Sequence, residues 1–405
     1  MRKNLKLGLF GFGCVGQGLY HVLHETHGIK AEIKKIVVKN RDKQRPIPNH
    51  FFTYAKEDVL NDPEIDVVVE LIDDAQAAFD IVKAALQNGK AVVTANKKMV
   101  AEHLQELYDL QKQYGKPLLY EASVCGAIPI IRNLEEYYDN DLIGSIEGIF
   151  NGSTNFILTK VFEEKKSYTE ALARAQELGF AESDPSLDVK GYDPKYKLVI
   201  AIAHTFGVFV KPDEVINIGI DKISDLDLKF ARENNYTIKL VARAFKRNGK
   251  VYGFVAPQFI ENTNLLSTVR NEYNAVIVEG AFSEKQLFIG KGAGGYPTGS
   301  AVLSDISALT YDYAYEYKKR FQEGDTFSNN LLVEAFVSFS NDAVSRADFS
   351  YVDSGYVANG KQFIVGRVSL QQLKEWYARD GVGVILAPNA RFTVEEVAAK
   401  AEALV

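Results

Sequence analysis

Sulfur is scarce in this chain, with two cysteines, Cys14 and Cys125, and two methionines in 405 residues. Two thiols make no disulfide framework, which fits a reducing compartment. No run of about 18 apolar residues occurs, so no transmembrane helix is expected. The stretch Met1 to Lys6 lacks the apolar segment of a signal peptide, and together these absences point to a cytoplasmic protein with no membrane partner. A basic excess is missing too: 47 Lys and Arg stand against 53 Asp and Glu, a net charge of -6. That balance argues against a nucleic-acid partner. No internal repeat or low-complexity tract breaks the chain, and its ordinary apolar and charged fractions argue against disorder.

What is present divides the chain into parts, since 405 residues exceed one compact core. The first part alternates strands and helices. Leu5–Phe10, Ile33–Lys39, Asp66–Ile72 and Ala91–Thr94 read as strands. Gln17–His24 and Ala77–Gln87 read as helices, the second stopping at Gly89. This pattern predicts a parallel, Rossmann-type sheet with helices on its faces. From about residue 140 the grammar changes. Lys239–Lys246 and Val251–Ile260 flank Asn248-Gly249, a strong hairpin signal. Asn274–Val278 and Gln286–Lys291 form a second candidate pair, and Ala171–Leu178, Lys197–Phe206 and Leu303–Tyr317 read as helices. The last part has strands at Leu331–Ser340, Phe363–Val368 and Val382–Leu386. Ser369-x-x-Gln372 and Thr393-x-x-Glu396 are candidate capping boxes for its helices. We therefore expect an α/β nucleotide domain over 1–140, completed by about 292–325. An α+β antiparallel-sheet domain for substrate and dimerisation should follow over 141–291, then a small C-terminal α/β module over 326–405, with a linker near Gly324-Asp325.

Gly11-Phe12-Gly13-Cys14-Val15-Gly16 follows an apolar strand and opens a helix, the context that a dinucleotide-binding turn requires. The first glycine permits the turn, the second lets backbone approach a pyrophosphate, and the third lets helix and strand pack closely. The helix N-terminus attracts the phosphates. The strand tip at Val38-Lys39-Asn40-Arg41 lacks the acid that would hold an unmodified ribose. Lys39 and Arg41 suit a 2′-phosphate instead, so NADP is expected at least equal to NAD. A solvated basic loop is the competing explanation.

The most unusual stretch runs from Gly179 to Lys197 and contains Glu182, Asp184, Asp188 and Asp193. Asp193-Pro194 reads as a helix start, with Asp193 at the N-cap. Lys197 then lies one turn above Asp193 on the same face. The following Leu198-Val199-Ile200-Ala201-Ile202-Ala203 is apolar all round and hence buried. Lys197 so enters the interior beside a carboxylate, where burial and charge oppose each other in setting its protonation. That is a property of a proton donor and acceptor, though a structural ion pair has the same signature. Glu182, Asp184 and Asp188 could meet a ligand ammonium or form only a solvated loop. A second lysine, Lys97 in Thr94-Ala95-Asn96-Lys97, follows a strand at the carboxyl edge where open α/β sheets bind ligands.

These blocks, with Glu121-Ala122-Ser123-Val124-Cys125-Gly126-Ala127-Ile128-Pro129, Asn151-Gly152-Ser153-Thr154-Asn155 and Gly292-Ala293-Gly294-Gly295-Tyr296-Pro297-Thr298, occur in one colinear order across about residues 5–320. Together the chain resembles homoserine dehydrogenase. The resemblance implies the reversible, NAD(P)H-dependent reduction of L-aspartate 4-semialdehyde to L-homoserine, a step in threonine and methionine biosynthesis. It implies Lys197 as general acid/base with Asp193, and Lys97 assisting at substrate and cofactor. Gly179, Glu182, Asp188 and Asp193 would bind or orient the amino acid. Gly11 to Gly16, Lys39, Arg41, Ile72, Thr94, Lys97 and Gly294 would meet the cofactor. A sodium-type cation would lie near Glu121 and the carbonyls of Val124, Gly126 and Ile128, and the partner would be a second copy of the chain in a homodimer or higher homo-oligomer.

Three departures stand out. Asp73-Asp74 replaces a glycine pair usual after the fourth strand, Phe180 replaces a frequent tyrosine, and Phe339-Ser340-Asn341-Asp342 replaces the Asp-x-Pro-Gly turn of an ACT regulatory module. Two rival readings remain open. One is aspartate-semialdehyde dehydrogenase, which needs a nucleophilic cysteine such as Cys125 and a histidine base. The other is a non-catalytic nucleotide sensor.

Overall fold

The apolar run Leu5–Phe10 becomes β1 at the centre of a six-stranded sheet, with the burial on both faces that a covered parallel sheet demands. In the computed structural model, which describes residues 4–139, 142–321, 325–340, 343–358, 360–388 and 392–394, this sheet comprises β1, β2 (Ala31–Val37), β3 (Phe52–Thr53), β4 (Val67–Glu70), β5 (Ala91–Thr94) and β6 (Leu118–Leu119). All its pairings are parallel and the order is β3-β2-β1-β4-β5-β6. The order reverses between β1 and β4, and the crevice at their carboxyl ends is where such sheets receive a dinucleotide. Helices α1 (Cys14–Glu25), α2 (Ala75–Gln87) and α3 (Lys97–Tyr114) connect the strands. Asp74 accepts the Ala77 N–H at 2.9 Å as the N-cap of α2. The Asp73-Asp74 departure thus has a local structural use.

Among the described residues the second sheet has twelve strands. Its first half holds β7 (Ile143–Ile149), then helices α4 (Gly152–Glu163), α5 (Tyr168–Glu177), α6 (Tyr192–Phe206) and α7 (Asp225–Glu233). Strands β8 (Tyr236–Arg247), β9 (Lys250–Glu261), β10 (Tyr273–Gly280) and β11 (Glu284–Lys291) follow, then α8 (Gly295–Leu309). Asn248 and Gly249 have φ of 52° and 71°, the pair of positive angles that a tight β8–β9 hairpin requires. Gly144 and Gly148 interrupt the alternation of β7, so its sequence carries no clear strand pattern. The structure gives the reason for one of them: a Cβ on Gly148 would lie 2.0 Å from the Ala275 carbonyl oxygen of the neighbouring strand.

The C-terminal strands β12 (Leu331–Phe339), β13 (Tyr351–Ala358) and β14 (Lys361–Ser369), helix α9 (Leu370–Tyr377) and strand β15 (Val382–Leu386) extend this same sheet. The order along it is β11-β10-β7-β8-β9-β15-β12-β14-β13. The seam between β9 and β15 is a single pairing, Gln258 with Leu386. Phe336 fastens it, lying 4.6 Å from Phe230, 5.5 Å from Phe259 and 4.8 Å from Phe363 by ring centroid. Ser369 caps α9 by accepting the Gln372 N–H at 3.1 Å, but the Gln372 side chain reaches Glu375 and no reciprocal box forms. Thr393 lies in a short strand, Phe392–Val394, paired with β12 rather than at a helix start. Glu396 and the helix expected after it fall outside the described residues, as do Asn341-Asp342 and Gly324.

Two further expectations are corrected. The helix read over Leu303–Tyr317 occupies Gly295–Leu309 instead. Glycines open it because it packs hard on α1: a Cβ on Gly18 would lie 2.0 Å from the Gly295 carbonyl oxygen, and one on Gly299 would lie 2.6 Å from the Leu19 nitrogen. Tyr315 and Tyr317 leave the helix to join a buried polar knot. There the Tyr120 hydroxyl lies 2.7 Å from that of Tyr317 and 2.8 Å from His204 Nε2, while His204 Nδ1 meets Glu135 at 2.6 Å. The β8–β9 hairpin, in the domain expected to serve dimerisation, does not offer an exposed face for pairing subunits. Both its faces are buried within one chain, Val241 and Ile260 against Leu266 and Val269 on the second side.

The α1–α8 contact generates a prediction. Gly18→Ala should cost about 1–3 kcal/mol, because backbone rather than a flexible side chain must yield. Thermal melting should show the loss, and an unchanged Tm would contradict this packing.

Candidate active site

The glycine turn is built as the sequence suggests. Gly11 has φ of 94° and a Cβ there would lie 2.6 Å from the Leu71 carbonyl oxygen; one on Gly16 would lie 2.8 Å from the Gly11 carbonyl oxygen. Gly13, at the N-cap of α1, faces open space, and no side chain caps the helix. The first turn of α1 thus presents backbone donors to the crevice, the arrangement that suits a pyrophosphate. Gly294, φ 115°, is the N-cap of α8, whose Gly295 abuts Cys14. Lys39 and Arg41 lie exposed beyond the end of β2, with the Arg41 guanidinium 4.7 Å from the Tyr54 ring centre. Ile72 and Thr94 follow β4 and end β5, bordering the same crevice.

Lys97 is the first residue of α3, and Asn96 caps that helix by accepting the Met99 N–H at 3.0 Å. Its Nζ lies 2.7 Å from Asp193 Oδ1. Lys197 Nζ lies 2.7 Å from Asp193 Oδ2, one turn apart on α6 as the spacing implied. Asp193 is not the N-cap, however. Gly191, with φ of 79°, holds that position, and Asp193 sits inside the first turn. The left-handed Gly191 lets the chain enter α6 in a direction that buries the carboxylate, leaving it for the lysines rather than for a cap.

The remaining contacts fix this triad. Lys197 also donates to the Phe150 carbonyl at 2.7 Å. Asn151, the N-cap of α4, accepts the Thr154 N–H at 2.8 Å, and its Nδ2 donates to Asp193 at 2.9 Å and to Asp188 at 2.7 Å. Asn151 and the Phe150 carbonyl are site groups to which the sequence reading assigned no role. Asn followed by Gly at a helix start is the signal that could have located Asn151. Ser153 donates to the Phe180 carbonyl, so the segment bearing the missing tyrosine is held through its backbone.

The electrostatics follow from this geometry. Burial alone would raise Asp193, but Lys197 and Lys97 outweigh it and hold the carboxyl well below the ordinary range. Asp193 in turn raises Lys97. Burial and the charge of Asp193 push Asp188 upward, against the hydrogen bond from Asn151. Glu182, Asp184 and Gly179 are exposed. Glu182 adds to the negative field at Lys97, whereas Asp184 serves its own loop by accepting the Ser186 N–H at 3.0 Å.

At the loop joining the two sheets, Glu121 is buried, and its carboxylate oxygens accept the backbone N–H groups of Ile131 and Arg132, each at 2.8 Å. Burial, with Asp305 nearby, pushes it up to about 8. Cys125 and Gly126 both have φ of 55°, which curls the segment carrying the Val124, Gly126 and Ile128 carbonyls. Among the described residues no group of three or more His, Cys, Asp or Glu forms a metal cluster. A carboxylate with backbone oxygens remains a donor set suited to a hard cation.

Comparison with known proteins agrees with this geometry. Residues 11–121 match the family model "Homoserine dehydrogenase, NAD binding domain" and residues 129–307 match "Homoserine dehydrogenase". The chain is 39% identical over 316 residues to the homoserine dehydrogenase of Bacillus subtilis, covering 76% of this chain and 73% of the relative. It is 40% identical over 313 residues to that of Helicobacter pylori, covering 76% and 74%. A homoserine dehydrogenase structure from Thiobacillus denitrificans superposes with a TM-score of 0.83 at 29% identity, covering 95% of this chain and 98% of that one. A hyperthermophilic archaeal homoserine dehydrogenase in complex with NADPH gives 0.67 at 27% identity, covering 77% and 99%.

Cys125 separates the family from the rival with a cysteine nucleophile. It is fully buried, and burial pushes its thiol up to about 12, so it is not a thiolate at neutral pH. Cys14 is exposed. An aromatic disulfide reagent should therefore titrate one thiol per native chain and two after unfolding. Two reactive thiols in the native protein would refute this assignment.

Proposed function

Because the chain belongs to the homoserine dehydrogenase family, we propose that Lys197, Asp193 and Lys97 form the centre at which it interconverts L-aspartate 4-semialdehyde and L-homoserine. The observation that carries this reading is one buried carboxylate shared by two lysines, from α6 and from the carboxyl edge of the parallel sheet. Lys197 spends two of its three ammonium donors on Asp193 and Phe150, which leaves one for the substrate. That donor gives a proton to the aldehyde oxygen as negative charge grows there, and recovers it in the reverse direction. Lys97 faces the substrate carboxylate or the reacting oxygen and is oriented by the other oxygen of Asp193. Asp188, Glu182 and the backbone at Gly179 provide the negative side that receives the substrate ammonium. The dinucleotide, when bound, supplies or accepts the hydride.

Gly11 to Gly16, Ile72, Thr94 and Gly294 cradle that cofactor, and Lys39 and Arg41 take the 2′-phosphate of NADP. The relative with NADPH bound supports the phosphorylated form. The curled loop holds a sodium-type cation through Glu121 and the Val124, Gly126 and Ile128 carbonyls, and the cost of burying Glu121 without a full counter-charge favours it. Residues 1–140 with 292–325, 141–291 and 326–405 act as nucleotide, substrate and regulatory units, the last ACT-like. Subunits pair at the open β11 edge, where Phe282, Leu142 and Ile289 are exposed. Sedimentation as a monomer would overturn the pairing. We place the enzyme in the cytoplasm; among the described residues no helix is long and apolar enough to cross a membrane.

Steady-state assays with NADPH and NADH test the centre. Lys197→Ala should lower kcat by about 100- to 10,000-fold, the usual contribution of general acid catalysis, with the Kd for NADPH within about threefold of the parent. The parent should have the higher kcat/KM with NADPH. A Lys197→Ala enzyme with parental kcat would remove the lysine from the mechanism, and a strong NADH preference would remove Lys39 and Arg41 from the cofactor site. For the cation, sodium chloride should raise Tm above that in tetramethylammonium chloride at equal ionic strength. Equal Tm values would speak against the site.

A further inference from the structure

The floor of the crevice holds a charged side chain that the steps above do not use. Glu70 ends β4 and is fully buried. Its Oε1 accepts the Ile72 backbone N–H at 2.6 Å, and its Oε2 accepts the Thr94 hydroxyl at 2.5 Å. Thr94 Oγ1 accepts the Asn96 backbone N–H at 3.0 Å. Asn96 Nδ2 returns to the Ile72 carbonyl at 3.0 Å, while its Oδ1 caps the helix that Lys97 begins. The Leu71 carbonyl, between Glu70 and Ile72, is the group that leaves no room for a Cβ on Gly11. One carboxylate thereby ties the loop after β4 to the loop after β5, and sits beside the glycine turn.

Counting donors shows that this position wants an anion. The Ile72 N–H and the Thr94 O–H both need an acceptor, and an ionised carboxylate offers one on each oxygen without adding a donor of its own. A neutral acid or an amide places a donor on one side. That donor meets the Ile72 N–H, or it displaces the Thr94 proton from an oxygen already accepting Asn96. Yet burial pushes Glu70 up to about 7 against these hydrogen bonds, and Asp73, the charged neighbour acting on it, pushes the same way. Among the described residues no cation pairs with it. An acid whose native pKa lies above its unfolded value of 4.5 binds more protons when folded, so the native state loses stability as pH rises from about 4.5 through 7. The ionised side chain therefore works against stability, so a role in the site accounts for it better than a role in the fold.

We propose that Glu70 is a positioning residue: its carboxylate holds Ile72 and Thr94 against the cofactor and, through Asn96, aims Lys97 at Asp193. The proposal rests on the reading of Lys97 and the crevice given above. Its test is E70Q, assayed from pH 6 to 9 beside Tm and the Kd for NADPH. We expect kcat/KM to fall about 10- to 100-fold, as for a small misplacement of a catalytic group, with Tm at pH 8 equal to or above the parent. The parent should lose activity below about pH 7 as Glu70 takes up a proton, and E70Q should lack that limb. T94S, which keeps the hydroxyl, should retain most activity, while T94V should lose about as much as E70Q, and the double variant should lose no more than either. Parental rate and pH profile in E70Q would overturn the proposal. So would a loss that tracks a lowered Tm and leaves the acid limb in place. If Lys197→Ala instead kept full activity, the reading of the centre would fail, and the limb and the NADPH Kd of E70Q would still decide the role of Glu70.

Discussion

The carboxylate of Asp193 is the hinge of this structure. It receives Lys97 from the parallel sheet and Lys197 from its own helix, each at 2.7 Å. Two cations thus meet one anion beside the open crevice, with Asp188 and Glu182 adding negative charge nearby. Burial of the Asp193–Lys197 pair is tolerated because its hydrogen bonds are short, with Asn151 and the Phe150 carbonyl taking part. Removing the carboxylate would strand the buried Lys197 ammonium, a loss of about 3–5 kcal/mol for a broken buried pair. Lys97 and Asp193 are nearly a hundred positions apart in sequence, so the site is complete only when both sheets are in place.

The surrounding fold serves that junction. α6 carries Asp193 and Lys197 at its start and His204 near its end. His204 is locked by Tyr120, Tyr317 and Glu135, so both ends of the helix are fastened to the parallel-sheet side. α8 returns after the second sheet and packs its glycines against α1, which brings Gly294 beside the nucleotide turn. The C-terminal strands continue the second sheet through one backbone pairing and a cluster of phenylalanines. Glu70 belongs to the same logic. It is a buried carboxyl group that ties together two loops of the crevice.

Much of this was legible from local pattern. The run Leu5–Phe10, the spaced glycines after it and the Asn248-Gly249 turn each declare their geometry through requirements that act over a few residues. The i, i+4 relation of Asp193 and Lys197 is of the same kind, because helix periodicity alone brings them together. β7 was hidden because its glycines answer to the close approach of Ala275, a contact across more than a hundred residues. The start of α8 was hidden because glycine is a poor helix former, and only its packing on α1 explains why glycine stands there. Asp193 looked like an N-cap until the left-handed Gly191 took that place.

By itself, then, the sequence determined the chemistry on offer: a turn that backbone phosphate contacts require, a lysine and an acid one helical turn apart, and a second lysine at a strand end. Local stereochemistry is enough for each of these. Tertiary structure alone decided that Lys97 and Lys197 share one carboxylate, that Asn151 bridges it to Asp188, that Cys125 is sealed from solvent, and that Glu70 lies beneath the loops of the crevice. Those facts depend on burial and on contacts between distant segments, since a buried charge takes its partners from whatever the fold sets beside it.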